Sequence, residues 1–240
     1  MASATLAPTS RTALDALAAD LQRIFGNGLH SVCAYGITAD ADAEIRSIAL
    51  VDRLDFEDLA ACAPLSAGWA RRRLAVPLLL ERDEFRRTLD VFPLEYGEII
   101  ASHVVVLGDD PFDGLTVPDI DRRRACELQA KSHLIHLREG FLETGGDPKR
   151  VARLIGASAE GFRRLLMNIV SLAAPATNSH ADHLPEFAEE HIGVPQELTR
   201  EVLAATGAGP STIADPSAML ARYIAAVERV WEFVDGWKRA

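Results

Sequence analysis

Cysteine is scarce. Three residues, Cys33, Cys62 and Cys126, lie far apart, and no CxxC spacing occurs. That excludes a zinc ribbon or a disulfide scaffold and leads us to expect a reducing, cytoplasmic setting. Long apolar runs are missing too. The best candidate, Leu165 to Ala174, is stopped by Pro175, short of the ~18–20 residues that span a bilayer. Arg11, Asp15 and Asp20 break any apolar core of a signal peptide near the start. Aromatic residues are only 6% of the chain, and none interleave with basic residues as a single-strand nucleic-acid groove requires. Cations are outnumbered: 25 Lys and Arg stand against 35 Asp and Glu, a formal charge of −10. A broad nucleic-acid surface is therefore not expected. Walker, GxGxxG, HExxH and GxSxG patterns are all absent.

What is present suffices for real cores. Apolar residues make up 48% of 240 positions, well above a disordered composition. Leu14, Leu17, Leu21, Ile24 and Phe25 recur at helical spacing over Thr12 to Phe25, and Gly26-Asn27-Gly28 ends that helix. Leu29 to Tyr35 and Ile45 to Val51 read as strands, and Asp55 as the cap of a helix over Phe56–Arg73. Val76 to Leu80 is a short strand held to an edge by Pro77. Arg82 to Leu89 reads as helix and His103 to Leu107 as the last strand. Beyond Pro118 only helical patterns remain. They run over Asp119–Thr144, Val151–Ile155, Glu160–Ala174, Glu186–Glu190, Gln196–Thr206 and Ser217–Lys238. The expected fold class is α+β: a mixed sheet with flanking helices over residues 1–117, then an all-α bundle over residues 118–240.

Three stretches carry a family resemblance. The first is the order helix, Gly-bounded strand, second strand, helix, third strand. The others are Phe92-Pro93-Leu94-Glu95-Tyr96 and Val105-Val106-Leu107-Gly108-Asp109-Asp110-Pro111. Together they resemble the minimal nucleotidyltransferase fold of the polymerase-β superfamily, in a bacterial branch with an "FPxEF … LYGxDP" stretch and a helical bundle after it. The first bundle helix has a stretch similar to Lys131 through Leu137-Arg138-Glu139-Gly140-Phe141. An active member carries Gly-Ser after its first strand and an acidic-apolar-acidic triplet on its second. The acids hold Mg²⁺. Here the resemblance places Gly36 correctly but puts Ile37 where the serine belongs. Ser47 and Ala49 stand at the two acidic positions. The resemblance therefore implies degenerate nucleotide and metal positions at Gly36, Ile37, Ser47 and Ala49. No catalytic residue is assigned and no cofactor is expected; Mg²⁺ enters only if transfer survives. Without carboxylates, about four phosphate charges would be left poorly compensated.

Other constellations compete. Asp40, Asp42 and Glu44 alternate with alanines and would share one side of an extended segment. They read as a solvated acidic loop or as a displaced cation site. His180 and His183 flank Asp182, two zinc-type ligands with no cysteine near. His133, His136 and Glu139 drift around one helix and do not focus. The Arg-then-His spacing of helical toxin nucleases is absent. Arg122–Arg124 sit in a helix's first turn, where cations oppose the dipole. They are a better candidate for an acidic partner than Arg71–Arg73, which sit in a last turn. Three functions follow. The first is a pseudoenzyme binding a nucleotide or small molecule, or acting in regulation. The second is an interaction module with a closed cleft, working as a homo-oligomer or with a protein partner. The third is a transferase using Asp40, Asp42 or Glu44. No membrane partner is expected.

Overall fold

The computed structural model describes residues 6–37, 43–174, 183–206 and 213–238. The chain divides into two compact units, Met1–Pro118 and Asp119–Ala240. Among the described residues no helix is long and apolar enough to cross a membrane.

The first unit opens with helix α1 (Pro8–Phe25), which starts a turn earlier than its apolar spacing predicts because Pro8 suits a first helical turn. Strand β1 (Leu29–Tyr35) follows a 3-10 turn, and β2 is Arg46–Val51. The single helix expected over Phe56–Arg73 is two: α2 (Phe56–Cys62) and α3 (Ser66–Arg71). Pro64, in a 3-10 turn between them, breaks the run. Asp55 does cap α2, accepting from the Glu57 and Asp58 amides. Then come β3 (Leu78–Glu81), α4 (Arg82–Arg87), α5 (Pro93–Ala101) and β4 (His103–Gly108). Helix α5 has no counterpart in the sequence reading: nine residues with Gly97 inside give little periodic signal.

The sheet order is β3-β2-β1-β4. β1 runs antiparallel to β2 and β4, while β2 pairs parallel with β3. Because side chains alternate, each strand feeds two cores. Val32, Ala34, Ala49 and Val51 pack with Leu14, Leu17 and Leu21 of α1 and with Trp69 of α3. Cys33, Ile48 and Leu50 pack with Phe85, Tyr96, Ile99 and Phe112. Trp69 is 1% exposed, and its indole donates to Asp20 Oδ2 at 3.0 Å, so its one polar atom is satisfied.

The second unit is helical. It contains α6 (Asp119–Thr144), α7 (Pro148–Ala173), α8 (Leu184–Phe187) running into a π-helical turn, α9 (Gln196–Ala204) and α10 (Pro216–Gly236). α6, α7 and α10 pack on one another. Asp147 and Asp215 cap α7 and α10 through the Arg150 and Ala218 amides, each before a proline. The two helical segments expected around Gly156 are one continuous helix. Gly156 lowers local propensity, yet the alanines beside it favour helix and Ala159 and Phe162 are fully packed. On α6 the buried stripe is Cys126, Ala130, Leu134 and Leu137. The parallel stripe of Leu128, Ile135 and Leu142 is exposed.

Candidate functional site

The end of β1 carries a polar arrangement of Gly36, Tyr35, Arg46 and Glu98. Gly36 follows β1 at φ +59, and a Cβ there would run into the Arg46 guanidinium. Only glycine combines that backbone with so close an approach. Arg46 opposes Tyr35 across the β1–β2 ladder. Its guanidinium lies 5.0 Å from the centre of the Tyr35 ring and donates to Glu98 Oε1 at 2.8 Å. Burial pushes the Tyr35 hydroxyl above its ordinary value; Arg46 pulls it back and Glu98 raises it further. A fixed positive charge thus stands directly against the Gly36 turn. The sequence reading did not single out Arg46 or Glu98. Arg46 is the only charged residue of β2, and that was the one available signal.

The four positions named by the resemblance are not equivalent in space. Gly36 forms the turn. Ile37 is partly buried against the α1 core. Ser47 and Ala49 are 1% and 0% exposed, on the β2 face that packs toward α1. The Ser47 hydroxyl has no hydrogen-bond partner. Shifting the alignment by one residue gives Ile48 and Leu50, which fill the other core. In either register β2 offers no carboxylate. β3 extends one residue further than its apolar run and ends on Glu81. That carboxylate accepts from the Leu54 amide at 3.1 Å. A hydroxyl, a methyl and aliphatic side chains do not fit Mg²⁺, which takes hard oxygen ligands that include carboxylates.

Among the described residues the remaining candidates do not converge. Asp40, Asp42 and His180 lie outside the described residues. Glu44 and His183 are exposed. Among the described residues no group of three His, Cys, Asp or Glu side chains could hold a metal ion. His133 and His136 part company. His133 Nε2 sits 2.7 Å from the Tyr223 hydroxyl inside the bundle, while His136 pairs with Glu139 outside it. Burial, with a smaller push from His136, lowers the His133 pKa from 6.5 to about 4. Burial raises the Cys33 and Cys126 thiols to about 12, which leaves them poor nucleophiles.

The Arg122–Arg124 cluster has a structural task. Arg122 donates to both the carbonyl and the hydroxyl of Ser171 at 2.7 Å. Arg123 donates to the Val234 and Asp235 carbonyls and to Glu127. The first turn of α6 lies beside the last turns of α7 and α10. The two arginines donate to carbonyls of those last turns, where cations suit the helix dipole; Val234 also accepts the Trp237 amide. Arg124 alone is exposed, 3.9 Å from Asp121.

No protein-family model matches the chain, and no curated protein matches it. A solved structure does. Spectinomycin adenyltransferase AAD(9) from Enterococcus faecialis, solved with ATP and spectinomycin, superposes with a TM-score of 0.53 at 9% identity. The match covers 93% of this chain and 98% of that one. The fold is nucleotidyltransferase-like. At that identity the likeness speaks for the fold, including its mixed sheet and following helices, and not for chemistry. Within this nucleotidyltransferase-like fold the Gly36 turn is where the sequence resemblance put the phosphate-binding residues. Here it presents Arg46 paired with Glu98.

Proposed function

We propose that this protein is a catalytically degenerate nucleotidyltransferase-like protein that binds a nucleotide or a related small anion without transferring it. The observation that carries the reading is β2, which has no carboxylate on either face. Arg46 at the Gly36 turn supports it further. A guanidinium gives phosphate oxygens a planar pair of donors and needs no metal. Releasing Glu98 would free it, and that pair is half-exposed on both sides, so the exchange costs little.

A thermal-shift screen of nucleotides with Mg²⁺ and with EDTA tests the reading. A nucleotide at 100 times its dissociation constant adds ~2.7 kcal/mol. The reading expects a shift that survives EDTA, is lost in Arg46→Ala, and is accompanied by no transfer of label to any hydroxyl acceptor. Mg²⁺-dependent incorporation of label, lost in Asp42→Ala, would establish the active transferase instead. No shift with any nucleotide would favour the interaction module. That alternative has its own support in Ile37, packed against the α1 core, and in the exposed stripe of Leu128, Ile135 and Leu142.

A further inference from the structure

We propose that Glu98 is the specificity-determining residue of the Gly36 turn. Once an anion takes Arg46 from it, its carboxylate accepts from ribose hydroxyls of the same ligand, so the turn selects ribonucleotides over phosphates that bring no hydroxyl. This role of Glu98 rests on the anion-binding reading above and narrows its ligand class.

One nitrogen joins both residues to the turn. A Cβ on Gly36 would meet Nη2 of Arg46 before any other atom. Nη2 is also the atom that donates to Glu98 Oε1 at 2.8 Å. An anion seated at the turn therefore meets a donor that Glu98 already holds. Binding displaces one carboxylate by one phosphate and leaves Glu98 beside the newcomer. Arg46 keeps a second support when Glu98 lets go, because its guanidinium lies 5.0 Å from the centre of the Tyr35 ring. Glu98 does not retreat with its helix. Tyr96 and Ile99, 5% and 1% exposed, fix α5 against the sheet, and the Ile99 carbonyl lies 3.0 Å from His103 Nδ1. Only the half-exposed Glu98 side chain swings.

Among the described residues the Glu98 carboxylate has no ion pair or hydrogen bond besides the one to Arg46. Once released, it faces water or the ligand. An ionised carboxylate only accepts. Beside a bare phosphate chain it meets like charge, which weakens binding. Beside a phosphate ester that carries hydroxyls it gains charge-assisted hydrogen bonds. Arg46 and Glu98 start in contact, so together they hold two groups that lie close on one ligand. In a nucleotide the ribose hydroxyls are a few bonds from the phosphate chain, much nearer than the donors of the base. Acidic side chains accept from ribose hydroxyls in the same way in dinucleotide-binding folds.

Calorimetry in EDTA with ATP and with dideoxy-ATP, which lacks both ribose hydroxyls, tests this on the wild type, Glu98→Ala, Glu98→Gln and Arg46→Ala. The proposal expects the wild type to bind ATP roughly fivefold or more tightly than dideoxy-ATP, as one charge-assisted hydrogen bond at a half-exposed carboxylate allows. Glu98→Ala should bind dideoxy-ATP more tightly than the wild type does, because the competing charge is gone. Its preference for ATP should shrink to less than about twofold. Glu98→Gln, which keeps an acceptor without the charge, should fall between the two. Arg46→Ala should bind neither nucleotide. Equal affinities for the two nucleotides in the wild type overturn the proposal, and so does a preference that survives in Glu98→Ala. A parallel loss of both nucleotides in Glu98→Ala also overturns it and leaves Glu98 only a holder of Arg46. Failure of the underlying reading has a different signature: neither nucleotide binds the wild type, or Arg46→Ala binds both as the wild type does, and the proposal falls with it. Should Glu98→Ala misfold, the wild-type comparison and Glu98→Gln still decide.

Discussion

Acidification should weaken the helical unit through one side chain. His133 is tucked between Phe162 and Tyr223, with ring centroids 6.1 and 5.8 Å away. Its Nε2 lies 2.7 Å from the Tyr223 hydroxyl, which is itself fully buried. Burial disfavours the imidazolium and lowers the pKa from 6.5 to about 4. The folded value lies below the unfolded one, so the unfolded chain takes up the proton first. The contribution is whole above pH ~6.5 and is lost as pH falls toward 4. At roughly 1.4 kcal/mol for each pH unit of that interval, the loss is roughly 3 kcal/mol. The assay is urea unfolding between pH 7.5 and pH 4, followed by fluorescence in Trp69→Phe, where Trp231 and Trp237 report on the helical unit. The same series on His133→Phe removes this titration. The difference between the two pH slopes should approach that ~3 kcal/mol. Parallel slopes would refute the reasoning, because they would mean that His133 titrates alike in both states.

Other perturbations have outcomes fixed by single contacts. Trp69→Ala removes the largest fully buried side chain of the first unit and the donor to Asp20 Oδ2; we expect a loss of ~3–5 kcal/mol in chemical denaturation. Arg122→Ala leaves the Ser171 carbonyl and hydroxyl without their donor and should cost roughly 1.5–3 kcal/mol. Exposed Arg124→Ala should cost less than ~0.5 kcal/mol; similar losses for the two would contradict the capping role. Gly36→Ala drives a methyl into Arg46 at a positive φ and should destabilise by ~1–3 kcal/mol. Adding Arg46→Ala should recover the steric part, and a fully additive double variant would argue against the contact.

The parts of the fold that were legible in the sequence were those with a strong period and a chemical stop. α6 ends at Gly145-Gly146, and β1 is bounded by Gly28 and Gly36. Breaks were harder to read. Pro64 looked compatible with one helix and split it in two, while Gly156 looked like a break and was absorbed by packing. The α6 pattern contains two apolar stripes, and sequence cannot choose between them. Neighbouring helices buried the one with Cys126, Ala130, Leu134 and Leu137. At the site, the sequence located Gly36 and the missing acids. It did not show that Arg46 folds back onto that glycine, because Glu98 comes from a helix 52 residues away in sequence. Likewise, Arg122 and Arg123 looked costly on α6 alone. Their partners are carbonyls of α7 and α10.

The central claim is that nucleotide recognition here rests on a guanidinium and not on a metal. Calorimetric titration of ATP, once with Mg²⁺ and once with EDTA, tests it most directly. The account predicts affinities within about threefold of each other, about 0.6 kcal/mol. ATP binding that appears only with Mg²⁺ and disappears with EDTA would contradict it.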